Sequence, residues 1–120
     1  MTSQTIRVLL VENDAQTAEQ VKSSLAKSET TRFVVTWVNS GDLAVTTLHQ
    51  NHDIDVLITD YYLPGMNGAQ LARAVLKELN PALPIVFLTT NKDMYLVIEV
   101  MKLGVKDYLF RESIESSLFA

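Results

Sequence analysis

A chain of 120 residues with 48% apolar and 20% charged side chains has the length of one domain and the composition of a folded one, which excludes disorder. It contains no cysteine, so disulfide scaffolds and thiolate metal sites are excluded, and its apolar runs, four or five residues at most (such as 8–11 and 94–98), are too short to span a membrane. Ten basic against fourteen acidic side chains, a net charge of −4, argue against a nucleic-acid grip, which depends on Lys and Arg neutralising phosphates.

Hydrophobic periodicity divides the chain into alternating apolar runs and amphipathic stretches. Residues 6–11 (IRVLLV) have the look of a strand buried on both faces. Glu12, Asn13 and Asp14 follow, then Ala15, Ala18, Val21 and Leu25 at helical spacing, with Asn13 or Asp14 as the cap. Residues 33–38 read as a second strand. A second helix opens at Ser40-Gly41-Asp42 and carries Leu43, Ala44 and Leu48. Residues 56–59 form a third buried run, ending in Asp60 and a turn with Pro64, Gly65, Asn67 and Gly68. The stripe Leu71, Ala72, Val75, Leu76 and Leu79 predicts a helix over 69–79, stopped by Asn80-Pro81.

Residues 84–88 are the fourth predicted strand, 93–103 the fourth helix closed by Gly104, 107–110 the fifth strand, and a last helix starts at Ser113. Five βα units of this kind require a doubly wound parallel sheet of five strands, with right-handed crossovers and helices on both faces.

In such a sheet the ligand crevice lies beyond the carboxyl ends of the strands. The residues there are Glu12 and Asn13 after strand one, Asp60 after strand three, Thr89 after strand four and Arg111 after strand five. Converging carboxylates repel unless a cation sits between them, and hard oxygen ligands suit Mg²⁺ paired with a phosphate. A hydroxyl and a guanidinium could then hold the phosphate oxygens. Strand-end carboxylates also serve simply as helix caps or turn formers, and spacing alone leaves both readings open.

Four segments, VLLVEND, DVLITDYYLPGMNG, PIVFLTT and GVKDYLFR, resemble in order and spacing the signature segments of response-regulator receiver domains, the phosphoacceptor modules of two-component signalling. The similarity runs from Ile6 to about Arg111. It implies a flavodoxin-like sheet of strand order 2-1-3-4-5, in a single receiver domain over 1–120 that either stands alone or is the receiver portion of a longer protein. It also implies a role for each matching residue. Asp60 would be the phosphoacceptor. Glu12, Asp60 and the backbone carbonyl of Tyr62 would hold Mg²⁺. Thr89 would bind a phosphoryl oxygen, and Tyr108 would be the aromatic switch that reports the state of Thr89. Pro64, Gly65 and Gly68 would shape the loop after the acceptor. A sensor histidine kinase or a phosphotransfer protein would be the donor. The module would be no enzyme beyond its own aspartyl phosphorylation and dephosphorylation.

Three positions depart from the family pattern. Asn13 replaces the second acidic residue, removing one anionic metal ligand and weakening the expected Mg²⁺ binding. Arg111 replaces the lysine that pairs with acceptor and phosphate; it keeps the charge but is not equivalent. Glu112 replaces the proline that follows, and the family's cis peptide is expected to disappear with it. The alternative is therefore a pseudo-receiver, a protein–protein interaction domain independent of phosphorylation. A flavin carrier of flavodoxin type would need a Ser/Thr/Gly-rich loop where Glu12-Asn13-Asp14 stand. A haloacid-dehalogenase-type phosphatase would need an Asp where Tyr62 stands.

The remaining features are weaker. Met94, Tyr95, Leu96, Val97, Ile98, Val100 and Met101 give the fourth helix more apolar surface than one buried stripe needs. The excess is either a thick local core or part of a homodimer face on the fourth helix and fifth strand, with Tyr95 and Leu96 exposed. His49 and His52 read as exposed residues at a helix exit, and Trp37 as packing in or beside strand two. Residues 1–5 carry no secretion signal, so the expected location is cytoplasmic, with neither membrane nor nucleic acid as a partner of this chain.

Overall fold

Strand and helix alternate along the chain as β1 (Gln4–Val11), α1 (Ala15–Ala26), β2 (Thr31–Val38), α2 (Gly41–Gln50), β3 (Val56–Asp60), α3 (Gly68–Ala74), β4 (Ile85–Thr89) and β5 (Asp107–Phe110) in the computed structural model. The structure describes residues 4–89, 98, 101, 102 and 107–110, with only the backbone of 89 and 107–110. The strands form one parallel sheet in the order β2-β1-β3-β4-β5, as the periodicity and the family resemblance require. The reversal of direction between β1 and β3 puts a crevice at their carboxyl ends.

Alternation along the central strands builds two separate cores. Leu9, Val11, Leu57, Ile85 and Phe87 pack with Ala44 and Leu48 of α2 and with Leu71 and Ala72 of α3. Val8, Leu10, Ile58 and Leu88 pack on the other face with Ala18, Val21 and Leu25 of α1. Only the second half of β1 is fully buried; Thr5 and Arg7 are exposed. The β2 edge strand alternates between half-buried and exposed positions over most of its length, unlike the double burial of the centre.

Three expectations need correction. Leu43 is 48% exposed and Ala15 is exposed, so the buried face of α2 runs through Gly41, Ala44 and Leu48 and that of α1 starts at Thr17. Ser24 and Thr17 take buried places on α1. The predicted helix over 69–79 is an α-helix only to Ala74 and widens into a π turn, Val75–Leu79, in which Asn80 N donates to Val75 O at 2.7 Å. Of the predicted fourth helix, helical backbone is described at Ile98, Met101 and Lys102, where Ile98 and Met101 are exposed. Tyr95, Leu96 and the helix from Ser113 lie outside the described residues. Among the described residues no helix is long and apolar enough to cross a membrane.

Candidate functional site

The register fixes which residues meet at the carboxyl edge. β1 and β3 pair up to Val11↔Thr59, so Glu12 and Asp60 are the next residues at the carboxyl ends of neighbouring strands. Strand alternation puts Glu12 on the face of Val8 and Leu10, and Asp60 on the face of Ile58, so both lie on the α1 side. They are 1% and 4% exposed. Asp60 pairs with Leu88, which places Thr89 one step further along the same edge. Thr89 in turn pairs with Phe110, and Tyr108 lies opposite Phe87, two steps back from the edge. Arg111, Glu112 and the peptide between them lie outside the described residues.

The loop after β1 is held by polar side chains. Glu12 N donates to Val38 O at 3.1 Å, and the Trp37 indole Nε1–H donates to Glu12 O at 2.8 Å. Asp14 N donates to Glu12 Oε2 at 2.9 Å, which orients the carboxylate. Of the two candidate caps for α1, Asp14 takes the role: its Oδ2 accepts from Thr17 N at 3.1 Å and from Thr17 Oγ1 at 2.6 Å. Asn13, the next residue after Glu12, is exposed.

The loop after β3 is held by close backbone packing. Tyr61 N donates to Asp60 Oδ1 at 2.8 Å, and Tyr61 O accepts from Leu63 N at 3.1 Å and Gly68 N at 2.7 Å. A Cβ on Gly68 would collide with Asp60 O and would lie 2.8 Å from both Phe87 Cε1 and Tyr61 Cα, so only glycine fits. Gly65 has φ +73°, the left-handed region that a turn here requires. Asn67 and Gln70 then start α3 with a reciprocal capping box at 2.8 and 2.9 Å. Tyr62 is exposed and meets Tyr61 edge-on at 5.0 Å.

Chemically the edge offers the oxygens of two buried carboxylates, Glu12 and Asp60, on neighbouring strands. Neighbouring buried carboxylates are unfavourable unless a cation or further hydrogen bonds offset their repulsion and desolvation. An all-oxygen set suits a hard divalent cation. Among the described residues no three His, Cys, Asp or Glu side chains gather as a metal centre. His49 and His52 are exposed, as expected of residues at a helix exit. Sequence reasoning missed the Trp37 contact, which has no local signature. It also missed the Asn67–Gln70 box, whose N-x-x-Q spacing was there to be read.

Residues 8–120 match the family model of the response regulator receiver domain. The chain belongs to that family. It is 29% identical over 113 residues to the transcriptional regulatory protein YdfI of Bacillus subtilis (strain 168), covering 94% of this chain and 51% of the relative. It is 31% identical over 104 residues to the transcriptional regulatory protein QseB of Escherichia coli O157:H7, covering 87% and 45%. A response-regulator structure from Chloroflexus aurantiacus J-10-fl superposes with a TM-score of 0.80 at 28% identity, covering 96% of this chain and 93% of the other. The chain thus spans about half the length of these two curated relatives.

Proposed function

We propose that the receiver domain accepts a phosphoryl group on Asp60 and passes on the change through its fourth helix and fifth strand. The burial of Glu12 and Asp60 at adjacent strand ends carries this reading, because a carboxylate beside a second carboxylate at the crevice suits a nucleophile served by a cation. An Asp60 oxygen attacks phosphorus, an acyl–phosphate bond forms, and the bond from phosphorus to the donor breaks. The donor is a sensor histidine kinase or a phosphotransfer protein. Glu12, Asp60, the Tyr62 carbonyl and the neutral Asn13 amide would hold Mg²⁺, which supplies charge neutralisation for phosphoryl transfer when bound. Thr89 and Arg111 are assigned to the phosphoryl oxygens, and Tyr108 to the switch. Because the named relatives are transcriptional regulators about twice as long, we assign the chain to the receiver portion of a longer regulator.

Incubation with a small phosphodonor and Mg²⁺, followed by intact mass, tests the reading. One phosphoryl adduct is expected in the wild type and none in Asp60→Asn. A wild type without adduct at high Mg²⁺ would favour the second reading, a phosphorylation-independent interaction domain, which Asn13 in place of an anionic ligand supports.

A further inference from the structure

Trp37 stands near the end of the β2 edge strand and is 38% exposed, an ordinary place for a large aromatic ring in a sheet. Its indole N–H is less ordinary. The β1–β2 ladder runs to Val11↔Val38 and gains one more bond from Glu12 N to Val38 O. Continuing a parallel ladder would bring the N–H of Ser40 to the carbonyl of Glu12. At Ser40 the chain instead turns to cap α2, its side chain accepting from Leu43 N. The donor at Glu12 O is the Trp37 indole, at 2.8 Å. Glu12 is therefore pinned through its N–H by Val38, through its carbonyl by Trp37 and through its carboxylate by Asp14 N.

We infer that Trp37 is a positioning residue for the acidic pocket, fixing the backbone of Glu12 so that its carboxylate stays set for a divalent cation beside Asp60. The inference rests on the proposed role of Glu12 as a cation ligand. It adds a residue of the edge strand to the determinants of that pocket. The bond acts through geometry alone, since Trp37 itself offers the cation no ligand.

Trp37 is the only tryptophan in the chain, so incorporating benzothienylalanine during expression replaces it alone with a ring of nearly the same shape that lacks the N–H. Mg²⁺ affinity is measured by isothermal titration calorimetry, and folding by urea denaturation, for wild type, this analogue, Trp37→Phe and Val34→Ala. Val34 is an exposed residue of the same edge strand that serves as the control for edge stability. Loss of the bond should weaken Mg²⁺ binding about three- to tenfold in the analogue and in Trp37→Phe, with the analogue still unfolding cooperatively in urea. Val34→Ala should bind Mg²⁺ like the wild type. Equal affinity of analogue and wild type would overturn the role of Trp37 and leave the pocket reading standing. An equal loss in Val34→Ala would overturn it as well, by tracing the effect to edge stability. A wild type that binds no Mg²⁺ would overturn both.

Discussion

The loops after β1 and β3 each begin at a buried carboxylate, yet they secure it in different ways. Glu12 is held by three polar partners: Asp14 in its own loop, and Trp37 and Val38 on the neighbouring strand. Asp60 precedes a loop whose backbone doubles back on Tyr61 and closes where Gly68 lies against Asp60 and Phe87. One loop depends on hydrogen-bonding side chains and the other on the lack of a side chain. Substitutions in the first should therefore act in modest steps, whereas the decisive position of the second should tolerate nothing larger than hydrogen.

The largest effect expected is that of Gly68→Ala. The added methyl meets two backbones and a buried ring, so the loop or β4 must move, and urea denaturation should show a loss of about 3 kcal/mol. A loss under about 1 kcal/mol would erase the contrast between the loops. Next comes Asn13→Asp, which adds a charge directly after Glu12. Mg²⁺ affinity should rise on the order of tenfold, and metal-free stability should fall by about 1 kcal/mol through like-charge repulsion. Unchanged calorimetric affinity would mean that Asn13 is not among the ligands. The smallest effect is that of Asp14→Ala, which removes the α1 cap and the N–H partner's setting at Glu12. A stability loss of about 1 kcal/mol is expected, with the fold retained by circular dichroism.

Much of this architecture was legible because buried parallel strands leave a strong mark. The run VLITD announces β3 to within one residue, and DYLF matches β5 as predicted. The line of strand-end residues Glu12, Asp60 and Thr89 follows from those boundaries alone, since parallel strands bring their carboxyl ends together. Less legible were features that depend on partners distant in sequence or on an exchange between local and tertiary preferences. Leu43 looks like a core residue until α2 is oriented by Ala44 and Leu48, which leaves it in solvent. The π turn at Val75–Leu79 keeps Val75 buried while retaining the apolar stripe, and no spacing rule distinguishes it from a regular turn. Trp37 announces a strand, but its bond to a carbonyl 25 positions earlier is a matter of three-dimensional register.

The division of the interior by the sheet has a mechanical consequence. Both carboxylates project on the α1 side, together with Val8, Leu10, Ile58 and Leu88, while Leu9, Val11, Leu57 and Phe87 belong to the other compartment. A change of charge at the pocket is thus loaded asymmetrically, onto one layer of side chains. To reach α2 and α3 it must be transmitted by bending or sliding of the strands themselves, or around the edge through the loop that Gly68 closes. The sheet thus separates two independently packed layers of side chains, and only one of them lies against the carboxylates.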